Sequence, residues 1–269
     1  MNGYNRNIHL NLHRLAAVCQ VLRRKGLIEL SYLPSKEKKE TYVRDLFNAI
    51  SEGYDRTNRM MSLGRDEKWR RLVVQRTDVK PGHHVLDVCC GTAKLSMQLA
   101  SAVGPQGKVT GLDFSEKMIA IGKENIATHP NKDIITLLQG NAMSLPFENN
   151  QFDAVTVAWG LRNVPELEVA LGEMIRVLKP GGKLVSLDMS KPTAPVFKQA
   201  YWVYFEKIVP IMGQVGAGKS NAYKYFCESA KEFPDARKLT QLFKEHGLEE
   251  TKYTNLMGGT LAIVEGRKK

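Results

Sequence analysis

The sequence predicts an α/β protein with a doubly wound, mostly parallel sheet, closed by a C-terminal hairpin and preceded by a helical extension. Two observations carry that prediction. Between about residues 80 and 190, short apolar runs alternate with helical stretches at the spacing of βα units. After residue 248, two strand-like runs follow one another with only a short turn between them.

In chain order, residues 8–25 place Leu12, Leu15, Cys19 and Leu22 at helical spacing, with Arg14, Arg23, Arg24 and Lys25 elsewhere on the helix. This basic amphipathic pattern stops near Gly26. Pro34 and the run KEKKE (36–40) read as a solvated linker, so 1–40 form an extension and 41–269 one domain. Residues 41–76 read as a helical lid interrupted near Gly53 and Gly64. Beyond a turn at Pro81-Gly82, the core (80–190) has strands at 84–89, 108–113, 134–139, 152–159 and 183–189. The first intervening helix shows Leu95, Leu99 and Val103 on one face, and Ser115 is placed to cap the second. A further helix carries Leu171, Met174, Ile175 and Leu178 and is ended by KPGG (179–182). Residues 192–233 break the alternation with an aromatic stretch (Phe197, Tyr201, Trp202, Tyr204, Phe205), which suits either core packing or an apolar channel. A helix at 235–247 and strands at 248–255 and 259–266 close the chain.

Composition narrows the function classes. With 269 residues, 43 % hydrophobic and 25 % charged, the chain has the balance of a folded globular protein. No apolar run approaches the roughly 18 residues of a spanning helix. Four cysteines, none in a CxxC pair, make neither a disulfide framework nor a zinc site, and a reducing cytoplasm is the expected compartment. The first 28 residues lack acids, as organelle transit peptides do, but also lack their serine enrichment. Net charge is +11, from 39 Lys+Arg against 28 Asp+Glu, and residues 1–40 hold eight bases against three acids. Such a balance suits nucleic acid, an anionic membrane or an acidic ligand. The bases do not cluster beside the strand-end loops and no aromatic RNA motif occurs, so nucleic acid is not an expected partner.

Open α/β sheets bind ligands at the carboxyl ends of their strands. Here those ends carry Asp87 with the loop Cys89-Cys90-Gly91-Thr92-Ala93, then Asp113, then Gly140-Asn141-Ala142, then Trp159-Gly160-Leu161-Arg162-Asn163. Asp113 follows Gly91 by 22 positions, the spacing at which a carboxylate reaches both hydroxyls of a ribose. A pyrophosphate needs several glycines in the first loop, and this loop has only Gly91. One glycine preceded by an acid suits S-adenosylmethionine, whose cationic methionine end Asp87 would attract directly or through water. The stretch 213–220 matches the phosphate-loop pattern GxxxxGK[ST], yet it follows no first strand and no later apolar strand ends in a magnesium-binding Asp, so it reads as a chance match.

The segments HVLDVCCGTA, GLDFSEKM, GNAMSLPFENNQFDAVT, WGLRNVPE and RVLKPGG, in that order, resemble the quinone-ring C-methyltransferases of menaquinone and ubiquinone biosynthesis, closest to the members that act on demethylmenaquinone. The resemblance covers about residues 41–268, including YDRTN before the core and AYKYFCESAKEFP after it. It implies a class I S-adenosylmethionine-dependent methyltransferase with a seven-stranded sheet, methylating a ring carbon of a polyprenyl naphthoquinol without a metal. A polyprenyl benzoquinol or another small molecule is the alternative substrate. Thr92 matches the position near the methionine part, Asp113 the ribose ligand, and Asn141 with the Ala142 amide the adenine edge; Asp87 and Gly91 complete the cofactor set. Arg162 and Asn163 are expected to hold the quinol oxygen, with Tyr54, Asp55 and Asn58 closing over the ring and Asp55 as a second base. One departure stands out: many members read GTGD where this chain has Gly91-Thr92-Ala93-Lys94, so a cation replaces an acid close to a sulfonium. Because a polyprenyl substrate lives in a bilayer, residues 8–25 are expected to lie on the anionic inner face of the cell membrane. The sequence leaves the oligomeric state open, and a homodimer is compatible with it.

Overall fold

The computed structural model describes residues 33–192 and 220–269. The basic stretch 8–25, the aromatic stretch 197–205 and the phosphate-loop match at 213–219 lie outside them. Pro34–Lys269 form one compact unit. It opens with helices α1 (Lys36–Ile50), α2 (Tyr54–Met61) and α3 (Asp66–Arg76), with a 3-10 turn at Ser51–Gly53.

The run KEKKE is therefore not a linker but the start of α1. Its charges have partners distant in sequence. Lys39 Nζ donates to the carbonyls of Arg162 (3.2 Å) and Val164 (2.9 Å), and Glu40 accepts from Asn141 at 3.3 Å.

The core alternates as predicted: β1 (His84–Val88), α4 (Lys94–Val103), β2 (Lys108–Asp113), α5 (Glu116–Ala127), β3 (Ile135–Gln139), β4 (Phe152–Ala158), α6 (Leu167–Val177) and β5 (Leu178–Met189). After α7 (Ser220–Glu232) and α8 (Ala236–Glu245), the chain closes with β6 (Leu248–Leu256) and β7 (Leu261–Lys268). The sheet order is β3-β2-β1-β4-β5-β7-β6, and every neighbouring pair is parallel except those made by β7. Ser115 caps α5 as expected, its hydroxyl accepting the Met118 amide at 3.1 Å; Asp235 does the same for α8.

Several strand boundaries differ from expectation, the last strand spanning Leu261–Lys268 rather than 259–266, and two of the differences have a visible cause. The first strand stops at Val88 because Cys89 enters the left-handed region (φ 57°). Cys89 and Cys90 still pack against opposite faces of the sheet. The fifth strand starts at Leu178 rather than 183, because KPGG folds as a bulge: Phe152 pairs Leu178, Ala154 pairs Lys183, and Gly181 takes φ 78°.

Alternate residues of the central strands feed two cores. Val85 faces Trp69, Leu99 and Val109 with α3 and α4; Leu86 and Val88 face Phe152, Met174 and Phe243 with α6 and α8. Lys268 Nζ reaches the last carbonyls of α6, donating to Ile175 (2.7 Å) and Arg176 (3.2 Å), and ties β7 to that layer.

At the β4 end the backbone approaches β1 so closely that a Cβ on Gly160 would lie 2.5 Å from the Cβ of Cys89. Gly160→Ala is therefore expected to destabilise the fold by about 1–3 kcal/mol, read as a lower urea midpoint at unchanged slope.

Candidate active site

The parallel register sets the ends of β1 and β2 side by side, with Val88 opposite Leu112. Asp113 uses that proximity. Its Oδ2 accepts the Gly91 amide at 2.8 Å and its Oδ1 the Ser115 amide at 2.9 Å, which clamps the first loop to the second strand end. Each oxygen keeps a further lone pair for a diol. Burial pushes the Asp113 carboxyl up, against the amides of Ser115, Gly91 and Phe114 that favour the anion. The loops around it are strained. Cys89, Ala93 and Trp159 are non-glycine residues at φ 57°, 64° and 57°, a conformation that costs roughly 1–2 kcal/mol each.

These loops line an open cleft of about 740 Å³, the solvent at its mouth included. Asp113, Gly91 and Ser115 meet it beside an apolar slot of Leu112, Phe114, Met118 and Ala142, with Asn141 at its edge. Asn163, Trp159 and Gly160 from the β4 end line it as well, with Tyr54, Phe47, Arg44 and Glu40 from the N-terminal helices. An acid for a ribose, an apolar slot and an amide for a purine edge fit S-adenosylmethionine.

Residues 36–61 cover these loops through polar contacts at each strand end. Besides Glu40 on Asn141 and Lys39 on the β4 loop, the Ser115 hydroxyl donates to Asn48 Oδ1 at 2.6 Å and the Thr92 hydroxyl to Asp55 Oδ1 at 2.7 Å. Thr92 is thus bound to the lid, and Asp55, the expected second base, sits at the first loop with Lys94 Nζ at 3.9 Å. Asn141 also accepts the Met143 amide at 2.9 Å, which fixes its side chain.

Asp87 is set back from the cavity. It points into the sheet face beneath α4, 1 % exposed, where it accepts from Ser96 Oγ (2.6 Å) and Thr156 Oγ1 (2.9 Å). Its carboxylate stands behind the loop rather than among the cavity-lining groups.

On the substrate side, Arg162 and Asn163 sit on one 3-10 turn and both are buried. Arg162 Nη1 donates to Asp188 Oδ1 at 2.9 Å and to the Trp159 carbonyl at 2.6 Å, while its guanidinium covers the Phe226 ring at 5.1 Å. Asn163 donates to the same Trp159 carbonyl at 3.0 Å and accepts from the Tyr225 hydroxyl at 3.3 Å. Tyr54 is held by Asn58, and burial, opposed by Arg162, pushes its phenol up. Sequence reasoning missed three of these groups. Asp188, next to last in β5, was findable by the same strand-end rule that found the other acids. Arg70, stacked 5.1 Å from the Trp159 ring and paired with Asp66 at 2.6 Å, carries only a helical pattern in sequence. Tyr225 was visible only as part of the AYKYFC motif.

The sequence model of the ubiE/COQ5 methyltransferase family matches residues 35–268. The chain belongs to the ubiE/COQ5 methyltransferase family. A demethylmenaquinone methyltransferase of Desulfitobacterium hafniense (strain Y51) is 55 % identical over 234 residues, covering 87 % of this chain and 92 % of that protein. A demethylmenaquinone methyltransferase of Symbiobacterium thermophilum is 45 % identical over 241 residues, covering 88 % and 96 %. Among solved structures, an S-adenosylmethionine-dependent methyltransferase of Thermotoga maritima, described as a possible histamine N-methyltransferase, superposes with TM-score 0.60 at 19 % identity, covering 84 % of this chain and all of that one. A methyltransferase of Aquifex aeolicus gives 0.58 at 19 %, covering 79 % and 96 %. These two share the fold. As a ubiE/COQ5 member the chain is an S-adenosylmethionine-dependent methyltransferase with the seven-stranded sheet predicted for it. Among the described residues no cluster of three or more His, Cys, Asp or Glu could hold a metal ion, and no helix is long and apolar enough to cross a membrane.

Burial raises the Asp87 carboxyl from 3.8 to about 6, outweighing its hydrogen bonds from Ser96 and Thr156. A folded-state value above the unfolded one means that the native protein holds this proton more tightly, so stability is lost as pH rises from about 4 to about 6. That window corresponds to about 3 kcal/mol. Asp87→Asn removes this component, so the stability difference between variant and wild type should grow in the variant's favour across the window, measured by urea titration at successive pH values.

Proposed function

We propose that this ubiE/COQ5 member transfers a methyl group to a ring carbon of demethylmenaquinol, giving menaquinol. The substrate assignment is supported by the two relatives of that name at 55 % and 45 % identity over most of the chain. One observation in the site carries the chemistry. Beside cavity-lining Asn163, Arg162 holds a buried Nε that has no hydrogen-bond partner among the described residues. Its Nη1 is fixed by Asp188 and Trp159, so Nε is left for a substrate oxygen.

A ring carbon becomes nucleophilic when the neighbouring hydroxyl loses its proton. Arg162 Nε stabilises the resulting phenolate, and water takes the proton. Asn163, locked between Tyr225 and Trp159, sets the position of the same oxygen. Tyr54 and Asn58 close over the ring. Bound S-adenosylmethionine supplies an electrophilic methyl on sulfur. As the new C–C bond forms and the C–S bond breaks, S-adenosylhomocysteine leaves, the ring carbon's own proton is lost to water, and the phenolate oxygen takes a proton back from water to give menaquinol. The basic amphipathic sequence at 8–25 is assigned to an anionic membrane surface, where a polyprenyl quinol resides.

The test is mass spectrometry after incubation with S-adenosylmethionine and either reduced demethylmenaquinone or the corresponding benzoquinol. A gain of one methylene on the naphthoquinol is expected; methylation of the benzoquinol alone would overturn the assignment. Arg162→Lys keeps a cation for Asp188 and is expected to lower kcat about 10²- to 10³-fold at an unchanged melting temperature. Removing residues 1–33 should abolish binding to anionic liposomes while sparing turnover of a short-chain quinol.

A further inference from the structure

Two turns hold apolar side chains out in solvent in a backbone conformation that suits glycine or asparagine. Among the described residues, Leu63 and Met257 are the apolar residues at positive φ outside the loops after β1 and β4, at 52° and 48°. Each is followed by a left-handed glycine, Gly64 at 72° and Gly258 at 66°. Leu63, between α2 and α3, is 78 % exposed, and Met257, in the turn between β6 and β7, is 42 % exposed. Arg65 joins the two turns, its Nη1 donating to Met257 Sδ at 3.0 Å, and Met60 in the last turn of α2 is a further exposed apolar group. The surroundings are basic. Arg56, Arg59, Arg65, Lys68 and Arg71 are all exposed, whereas of the two acids in this stretch only Glu67 is, Asp66 being buried against Arg70. Residues 253–260 carry no charge. Both turns lie at the edge of the sheet that forms the cleft: α2 begins with cavity-lining Tyr54, and Leu261, just after the Met257 turn, pairs with Met189 at the end of β5.

We propose that the turns at Leu63 and Met257 dock the catalytic domain on an anionic lipid bilayer, the apolar tips entering the acyl boundary and the surrounding arginines and lysines meeting the head groups. This rests on the polyprenyl quinol reading of the substrate and names the surface through which the enzyme reaches it. Apolar tips ringed by cations match the two layers of a lipid surface, whereas a nucleic acid offers only the charge. Backbone strain that holds leucine and methionine in solvent gains nothing for the fold, since glycine suits both positions. The docking adds to the membrane attachment assigned to residues 8–25. A few side chains bind a bilayer only marginally, and their contribution grows once another segment keeps the chain at the surface. In the docked enzyme the cleft-bearing edge of the sheet faces the membrane, so the polyprenyl chain stays in lipid while the ring enters the cleft.

The experiment is sedimentation of the full chain with vesicles of phosphatidylglycerol and phosphatidylcholine, or of phosphatidylcholine alone. The double variant Leu63→Gly with Met257→Gly is expected to bind the anionic vesicles about tenfold more weakly, with an undiminished melting temperature and unchanged turnover of a short-chain quinol. Arg59→Gln with Lys68→Gln is expected to weaken binding about tenfold at low salt and to lose that difference at high salt. In a second measurement, Leu63→Trp is expected to show quenching by lipids brominated on their acyl chains beyond that of the wild-type tryptophans. Unchanged binding of the glycine variant would overturn the proposal, and so would the absence of added quenching. Wild-type binding that does not distinguish the two kinds of vesicle would overturn it too, as would a dimer in solution that the glycine variant dissociates, since the turns would then belong to a contact with a second copy of this chain. Vesicle binding is read without substrate, so failure of the demethylmenaquinol assignment shows separately, in the mass-spectrometric test above.

Discussion

The Asp113 carboxylate is the constraint on which the site depends. By accepting amide protons from Gly91 and Ser115, it joins the loop after β1 to the loop after β2. That bridge needs adjacent parallel strands in register, and the Val88–Leu112 pairing provides it. It also needs tight packing behind the loop. A Cβ on Gly122 of α5 would lie 3.3 Å from the Gly91 carbonyl and 2.8 Å from Leu137, so the helix can press against the loop only because this residue is glycine. The left-handed Cys89 and Ala93 on either side are the cost of bending the chain around that carboxylate. The fold therefore spends conformational strain where a ligand gains a preorganised contact.

The N-terminal helices are attached in a different manner. The sheet and its flanking helices share two continuous apolar cores, whereas residues 36–61 meet the strand-end loops mainly through single polar pairs, with Leu46, Ile50 and Met61 as a thin apolar seam. Polar pairs exchange readily with water, and an apolar core does not. The cover is suited to reorganise around a bound molecule while the sheet stays fixed.

How legible this was depends on the range of the interaction concerned. The first four strands appeared as apolar runs with edges accurate to about a residue, because a buried parallel strand is hydrophobic on both faces. Asp113 and the Ser115 cap were readable because their partners lie close in the chain or at a fixed spacing. Lys39 and Glu40 of KEKKE were misread as solvated because Arg162, Val164 and Asn141, which they bind, are more than a hundred residues away. Asp87 was read as attracting the methionine end directly or through water, and strand position did not reveal which hydroxyls stand above this buried acid; Ser96 and Thr156 do. The extension of β5 through KPGG was hidden for a similar reason, since a bulge is defined by its partner strand.

The strand order has a consequence for how the chain is made. β7 follows β6 in sequence but lies between β5 and β6 in the sheet. When β6 leaves the ribosome it has no strand to pair with, and the β5 edge remains open beside the completed βα units. Both gaps close only when β7 arrives, pairing Met189 with Leu261 on one side and Leu256 with Leu261 on the other. The nascent protein thus carries an exposed sheet edge until its last strand is available, and closure depends on non-local contacts that form slowly.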